Sequence, residues 1–389
     1  MRILRVMHET GESLPILVDE DGLPIPSPNE FVFFRRHKSY NTITRNLREL
    51  AVFYKWLSDR DIDLEERITS GKLLTEAETS TSLVGFLRKN LEVGHKPVSP
   101  KVFNLRLITV RLYLLWKIDV QMSSLIFSDP RYSFISSARY RLISRFERLF
   151  INSPTNTGDI VSKSLTQDQA QFLLNCLNPR NTESFGFFEP VKYRNFTAIY
   201  LMLACGIRPG ELLSLRLEDL KLNGIPSLTI MRRDPDPNDS RNPKPSIKRN
   251  GRILRLSNIS HLRVIDSYCT VYREKLVDRS IASSDYLILN DEGGPLSHGS
   301  LTQLFIRLRN VYPHALPKIL SPKALRHTYS IELERELEAS GMEYERRQQA
   351  LAYARGDSSL ESQRVYTDEE IHRQVREASA NYQKKLLGE

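Results

Sequence analysis

Cysteine is scarce in this sequence. Cys176, Cys205 and Cys269 are odd in number and widely spaced, which fits neither a disulfide framework nor a zinc site. Buried thiols in a reducing cytoplasm are the expectation. Long apolar runs are missing as well, and none approaches the roughly eighteen residues that a membrane span requires. The opening segment, MRILRVMHETGESLP, has a short apolar part and soon turns acidic, so a secretory leader is not expected. No Gly-Lys-Ser or Gly-Lys-Thr phosphate loop occurs, and no cluster of side chains has metal-ligand spacing. The expectation is therefore a protein that works without metal, nucleotide or other cofactor, and without a membrane partner.

What is present is a chain of 389 residues, long enough for two or three domains. Its 40% hydrophobic content can fill more than one core. Lys and Arg number 56 against 47 Asp and Glu, a net charge of +9. A basic excess favours a polyanionic partner, since each neutralised phosphate releases condensed counterions.

Residues 1–37 alternate apolar and polar positions before a stretch rich in turn residues, which reads as an extended or strand-forming arm. From Ser39 the period becomes helical: Ile43, Leu47, Leu50, Tyr54 and Leu57 share one face. Further helices are expected over 79–90, from Ser99-Pro100 onward, and over 136–151. Together, 38–152 read as a helical domain whose outer faces carry Arg45, Arg48, Lys101, Arg106, Arg111, Arg141, Arg145 and Arg148. Residues 153–164 are polar and turn-rich, the expected linker. The second domain, 165–389, opens on a capped helix at Thr166. Strand-like runs at 227–231 and 252–256 flank a long polar loop, and a last helix covers about 368–387. The fold class is mainly α with a small β-sheet, that is, α+β.

Three segments carry chemistry. In the first, 198–220, an apolar helix ends at Gly206 and Arg208 follows at the break before the next helix. Such an arginine is held by backbone on both sides and suits bidentate phosphate binding, with Glu211 able to hold its guanidinium. In the second, Ser321-Pro322 starts a helix that places Lys323 and Arg326 one turn apart on one face. A helix N-terminus is already an anion site before side chains are counted. The third, 351–370, places Tyr366 after a polar turn and before the terminal helix.

In this order the segments resemble the tyrosine recombinase (phage integrase) family, whose catalytic domain is similar to residues 163–380. Gly-Ile-Arg-x-x-Glu-Leu-Leu-x-Leu-Arg at 206–216 matches the first arginine box. Lys323, Ala324, Leu325, Arg326, His327 and Thr328 match the second. In the third, Gly356 and the eight residues 358–365 are in register with Tyr366, but Asp357 stands where the family has His or Trp. The hairpin lysine of the family would be Lys248, with Lys244 as the alternative. The helices of 38–152 resemble the core-binding domain in size and place.

The resemblance implies a site-specific recombinase or integrase that acts on double-stranded DNA, in the service of a mobile element, in a bacterial cytoplasm at the nucleoid. Tyr366 would attack a phosphodiester, Arg208 and Arg326 would balance the phosphate charge, Lys323 would accept the phenol proton, and Lys248 would protonate the leaving oxygen. Asp357 would orient Lys323 or Arg326, or else turn away while Arg355 donates in its stead. Four protomers would assemble on two DNA sites, with accessory DNA-bending proteins as further partners. The terminal helix could dock on a neighbour or pack on its own domain. A member that binds DNA without cutting, and a type IB topoisomerase-like enzyme, stay open.

Overall fold

The structure is a computed structural model. It describes all residues except 10–11, 92–95, 153–163, 187, 235, 237–238, 246, 248–250, 281–283, 358–368 and 388–389. The chain forms two compact units, Met1–Thr157 and Gly158–Glu389. The expected linker, 153–164, lies almost wholly outside the described residues.

The first unit begins with an antiparallel hairpin of β1 (Arg2–Met7) and β2 (Ser13–Val18), in register from Arg2 opposite Val18 to Met7 opposite Ser13. Helices α1 (Pro26–Phe34), α2 (Tyr40–Ser58), α3 (Leu64–Thr69), α4 (Val84–Arg88), α5 (Pro100–Ser123) and α6 (Pro130–Arg148) follow, with a π-helical turn over Glu78–Leu83 leading into α4. Leu47, Leu50, Phe53 and Trp56 of α2 meet Leu107, Val110 and Tyr113 of α5 and Leu142 and Phe146 of α6 in one core.

Helix α1 falls where the sequence points to an extended arm. Pro26 and Pro28 both lie in its first turn, where the missing N–H groups would have no helical partner in any case. Its Phe31 packs edge-on against Tyr113 at 5.4 Å, and Leu17 of β2 joins the same core, so residues 1–37 are part of this unit. Ser27 is hydrogen-bonded to the Tyr113 hydroxyl at 2.6 Å, which in turn bonds Tyr54 at 2.5 Å, tying α1, α5 and α2 together. Helix α6 also starts earlier than its apolar period indicates, because the Asp129 side chain accepts the Arg131 N–H ahead of the first buried position, Ile135.

Two of the expected surface arginines are structural. Arg106 donates to the carbonyls of Leu87 and Lys89 at 2.8 and 2.9 Å, capping the end of α4. Arg145 donates to the Leu74 carbonyl at 2.9 Å and pairs with Glu76 at 2.5 Å.

The second unit is built around α8 (Glu189–Cys205), which follows α7 (Gln167–Leu177). From Asn195 to Cys205 every residue of α8 is buried. A helix apolar on all sides must be surrounded. Around it run α9 (Pro209–Ser214), a short three-stranded antiparallel sheet of β3 (Leu220–Lys221), β4 (Ser227–Ile230) and β5 (Arg252–Arg255), then α10 (Ile259–Ser267) and α11 (Arg273–Val277), which a π-helical turn joins. Helices α12 (His298–Val311), α13 (Pro322–Ala339), α14 (Tyr344–Arg355) and α15 (Glu369–Lys385) complete it. The class is α+β with little β.

Helix α15 packs on its own unit. Val375, Ala378, Tyr382 and Leu386 recur at steps of three or four and are buried. The Gln383 side chain receives hydrogen bonds from the Ser257 N–H and hydroxyl at 2.9 Å each, and Tyr382 donates to the Leu203 carbonyl at 3.3 Å. These contacts pack the terminal helix on its own unit, one of the two roles open to it.

Candidate active site

Helix α8 stops at Gly206, whose φ of 59° is left-handed. A side chain there would also run into the Tyr329 ring, so glycine is required twice over. The stop turns the backbone extended at Arg208, the N-cap of α9, with Pro209 following as the first helical residue. Glu211 folds back on this turn: its carboxylate accepts the Arg208 N–H at 2.9 Å and Arg208 Nη1 at 3.0 Å. Glu211 is itself 1% exposed and is gripped from the other side by Arg252, at 3.2 and 3.0 Å. Burial opposes ionisation of Glu211, but the hydrogen bonds and charge of Arg252, with Arg208, outweigh it and hold the carboxyl below its ordinary value.

Arg326 stands in the second turn of α13, whose first turn is capped by the Ser321 hydroxyl accepting the Ala324 N–H at 3.2 Å. Its Nη1 donates to the Gly206 carbonyl at 2.7 Å and its Nη2 to the Arg355 carbonyl at 2.9 Å. Burial, and then the neighbouring Arg208 charge, push the Arg326 guanidinium down to about 10.

Helix α14 ends at Arg355 with Gly356 left-handed, φ 61°. The Asp357 N–H returns to the Ala352 carbonyl at 2.8 Å. The last carbonyls of a helix carry partial negative charge and lack helical donors. Here arginines supply them: Arg252 Nε bonds the Ala354 carbonyl at 2.9 Å, and Arg208 and Arg326 share that of Arg355 at 3.2 and 2.9 Å. Beyond this cap, Asp357 Oδ1 accepts from Arg208 Nη2 and, at 3.3 Å, from Arg326 Nη2. Arg355 Nε lies 3.1 Å from Oδ2 as an ion pair. One anionic oxygen thus sits between two guanidinium forks from different helices, in a partly open position. Two guanidinium forks so placed are able to hold an anionic oxygen between them.

Of the candidates from the sequence, Arg208, Arg326 and Asp357 are brought together. Lys323 is exposed at the start of α13 and makes no ion pair among the described residues. Asp357 therefore pairs with Arg326, as one alternative had it, and additionally with Arg208 rather than Lys323. Lys248 and Tyr366 lie outside the described residues. Lys244 donates to the Asp236 carbonyl at 2.8 Å, within the polar loop itself.

Two residues escaped the sequence reading. The Arg241 side chain is 5% exposed, pairs with Asp239, and donates to the carbonyls of Leu213 and Leu296 at 2.8 and 2.9 Å, so it anchors the polar loop. Arg252 lies beneath the site. An arginine in a strand has no periodic signature that separates a buried position from an exposed one, and Glu211, its partner, already had Arg208 as a partner close by in sequence.

The profile of the phage integrase family matches residues 163–370, a little over half of the chain. The tyrosine recombinase XerD of Halalkalibacterium halodurans is 27% identical over 194 residues, 48% of this chain and 55% of that protein. The chain thus spans little more than half the length of that relative. Among solved structures, XerH site-specific recombinase bound to palindromic difH substrate, in a post-cleavage complex, aligns over 88% of this chain and 81% of its own at 18% identity, with a TM-score of 0.52. Its pre-cleavage complex with difH aligns over 86% and 78%, also at 18% identity and a TM-score of 0.52. These likenesses establish the fold.

Proposed function

The chain belongs to the phage integrase family, and from that premise we propose that it is a site-specific DNA recombinase that cuts and rejoins double-stranded DNA through a covalent link at Tyr366. The observation that carries this reading is the convergence of Arg208 and Arg326 on a single anionic oxygen. Preorganised, part-buried donors aimed at one oxyanion are what transfer at a phosphodiester requires.

In the proposed step the Tyr366 hydroxyl oxygen bonds to phosphorus as the phosphorus–O5′ bond breaks. A phosphotyrosyl link and a free 5′-hydroxyl result. A tyrosine of ordinary pKa near ~10 is protonated at neutral pH, so its proton must go to a base, and Lys323 is the proposed acceptor. Lys248 gives a proton to the leaving oxygen. Arg208 and Arg326 hold the non-bridging oxygens. The phosphotyrosyl bond keeps the energy of the bond it replaces, so rejoining needs no ATP. In this reading four protomers act on two DNA sites, and the element served is mobile; repeats in the DNA flanking the gene would identify it.

Asp357 favours a second reading, a family member that binds DNA and does not cut it, because a carboxylate stands where a donor to the phosphate is expected. One experiment separates the two. The wild type should form a covalent complex on a suicide duplex, and Tyr366→Phe should bind the same DNA equally well and form none. Absence of the complex in the wild type supports the second reading, and its presence in the Phe variant moves the nucleophile elsewhere.

A further inference from the structure

Arg252 opens β5, four residues after Lys248, at the end of the polar loop. Its side chain is 0% exposed. All three of its nitrogens have partners: Nη1 and Nη2 donate to the two oxygens of Glu211, and Nε to the Ala354 carbonyl. Gly356 closes over the guanidinium, and a Cβ at that position would overlap Nη1. Glu211 is in turn shared with both the backbone N–H and the guanidinium of Arg208. A carboxylate buried alone would take up a proton or expel its neighbours. Arg252 is what makes a buried, ionised Glu211 possible, and ionised Glu211 is what fixes Arg208.

We propose that Arg252 is a positioning residue of the reaction centre: through Glu211 it sets the Arg208 fork, and through Ala354 and Gly356 it sets the turn from which Asp357 reaches both arginines. The proposal rests on the DNA-cleavage reading above. It also gives the fork geometry a function that charge alone cannot supply. Lysine is a compact point charge and lacks the planar fork with which Arg252 meets both Glu211 oxygens and the Ala354 carbonyl.

The test uses the full chain, comparing wild type, Arg252→Lys, Arg252→Gln and Glu211→Gln for DNA affinity and for single-turnover cleavage of a suicide duplex as pH is lowered. Arg252→Lys should keep DNA affinity and cut about 100-fold more slowly, the cost of a misplaced group near a reacting phosphate. Without the fork Glu211 protonates more readily, so the acid limb of the rate profile should move to higher pH in Arg252→Lys. Glu211→Gln should be slow throughout and lack that limb. Should Arg252→Gln fail to fold, Arg252→Lys carries the comparison. A wild-type rate and an unmoved acid limb in Arg252→Lys would overturn the proposal. If the wild type itself does not cut, the recombinase reading fails, and the Arg208 Nε–H resonance decides the positioning role on its own. That resonance should be sharp in the wild type and exchange-broadened in Arg252→Lys; identical spectra would refute the role.

Discussion

Asp357 Oδ1 accepts a hydrogen bond from Arg326 Nη2 at 3.3 Å, and Arg208 bonds the same oxygen from the other side. The acid that departs from the family pattern is therefore the bridge between the two arginine boxes. It holds both forks in place, and in the proposed reaction its charge would repel the phosphate that they bind.

Replacing Asp357 by Asn separates these effects. Removing a like charge near the phosphate should tighten DNA binding by roughly 1 kcal/mol, the scale for charges a few ångströms apart near water. An amide holds two cations poorly, so the cleavage step should slow even as affinity rises. Fluorescence anisotropy and single-turnover kinetics measure the two. Cleavage that accelerates in step with affinity would make Asp357 a competitor and nothing more.

Arg208→Ala and Arg326→Ala should each raise the cleavage barrier by about 3–4 kcal/mol, the usual loss for one preorganised donor. Arg326→Ala should in addition destabilise the fold by ~1–3 kcal/mol, because the Gly206 carbonyl loses its 2.7 Å donor. Denaturant unfolding beside the cleavage assay tells the two apart. Equal losses in affinity and in rate would reduce both arginines to phosphate clamps.

Lys248 is the proposed leaving-group acid, with Lys244, which donates to the Asp236 carbonyl at 2.8 Å, as the alternative. A sulfur in place of the 5′-bridging oxygen leaves without protonation. Such a substrate should restore cleavage to Lys248→Ala and do nothing for Lys244→Ala. Rescue of Lys244→Ala alone would reverse the assignment.

His261 lies against the rings of Phe196 and Tyr200, at 5.4 and 4.8 Å, and its Nδ1 has no hydrogen-bond partner among the described residues. Burial lowers its pKa from 6.5 to about 4. As pH falls below 6.5 the unfolded chain takes up this proton first, so stability drops until pH about 4 and is level beyond it. The full loss is about 3 kcal/mol. His261→Leu should remove this slope from urea unfolding measured across that interval; an unchanged slope would place the titrating group elsewhere.

The core helices were legible because burial on one face forces a period of three to four, as in Ile43, Leu47 and Leu50. Helix α1 was not, since its prolines read as turns and its burial depends on Tyr113, 82 residues away from Phe31. Two of the expected outward arginines are structural. Arg106 and Arg145 have the same local spacing as Arg48 but meet carbonyls and an acid that other segments bring to them.

By itself the sequence determined the α+β class, the family resemblance and the order of the boxes, because periodicity and short motifs are local and survive in one dimension. It also placed Gly206 and Gly356 next to the residues they serve, as helix ends demand. Only the tertiary structure decided what those residues touch. Arg208, Arg252 and Arg326 meet at the C-terminus of α14 through hydrogen bonds to Ala354 and Arg355 that span from 29 to 147 positions of sequence. A hydrogen bond is fixed by distance in space, and no spacing along the chain encodes it.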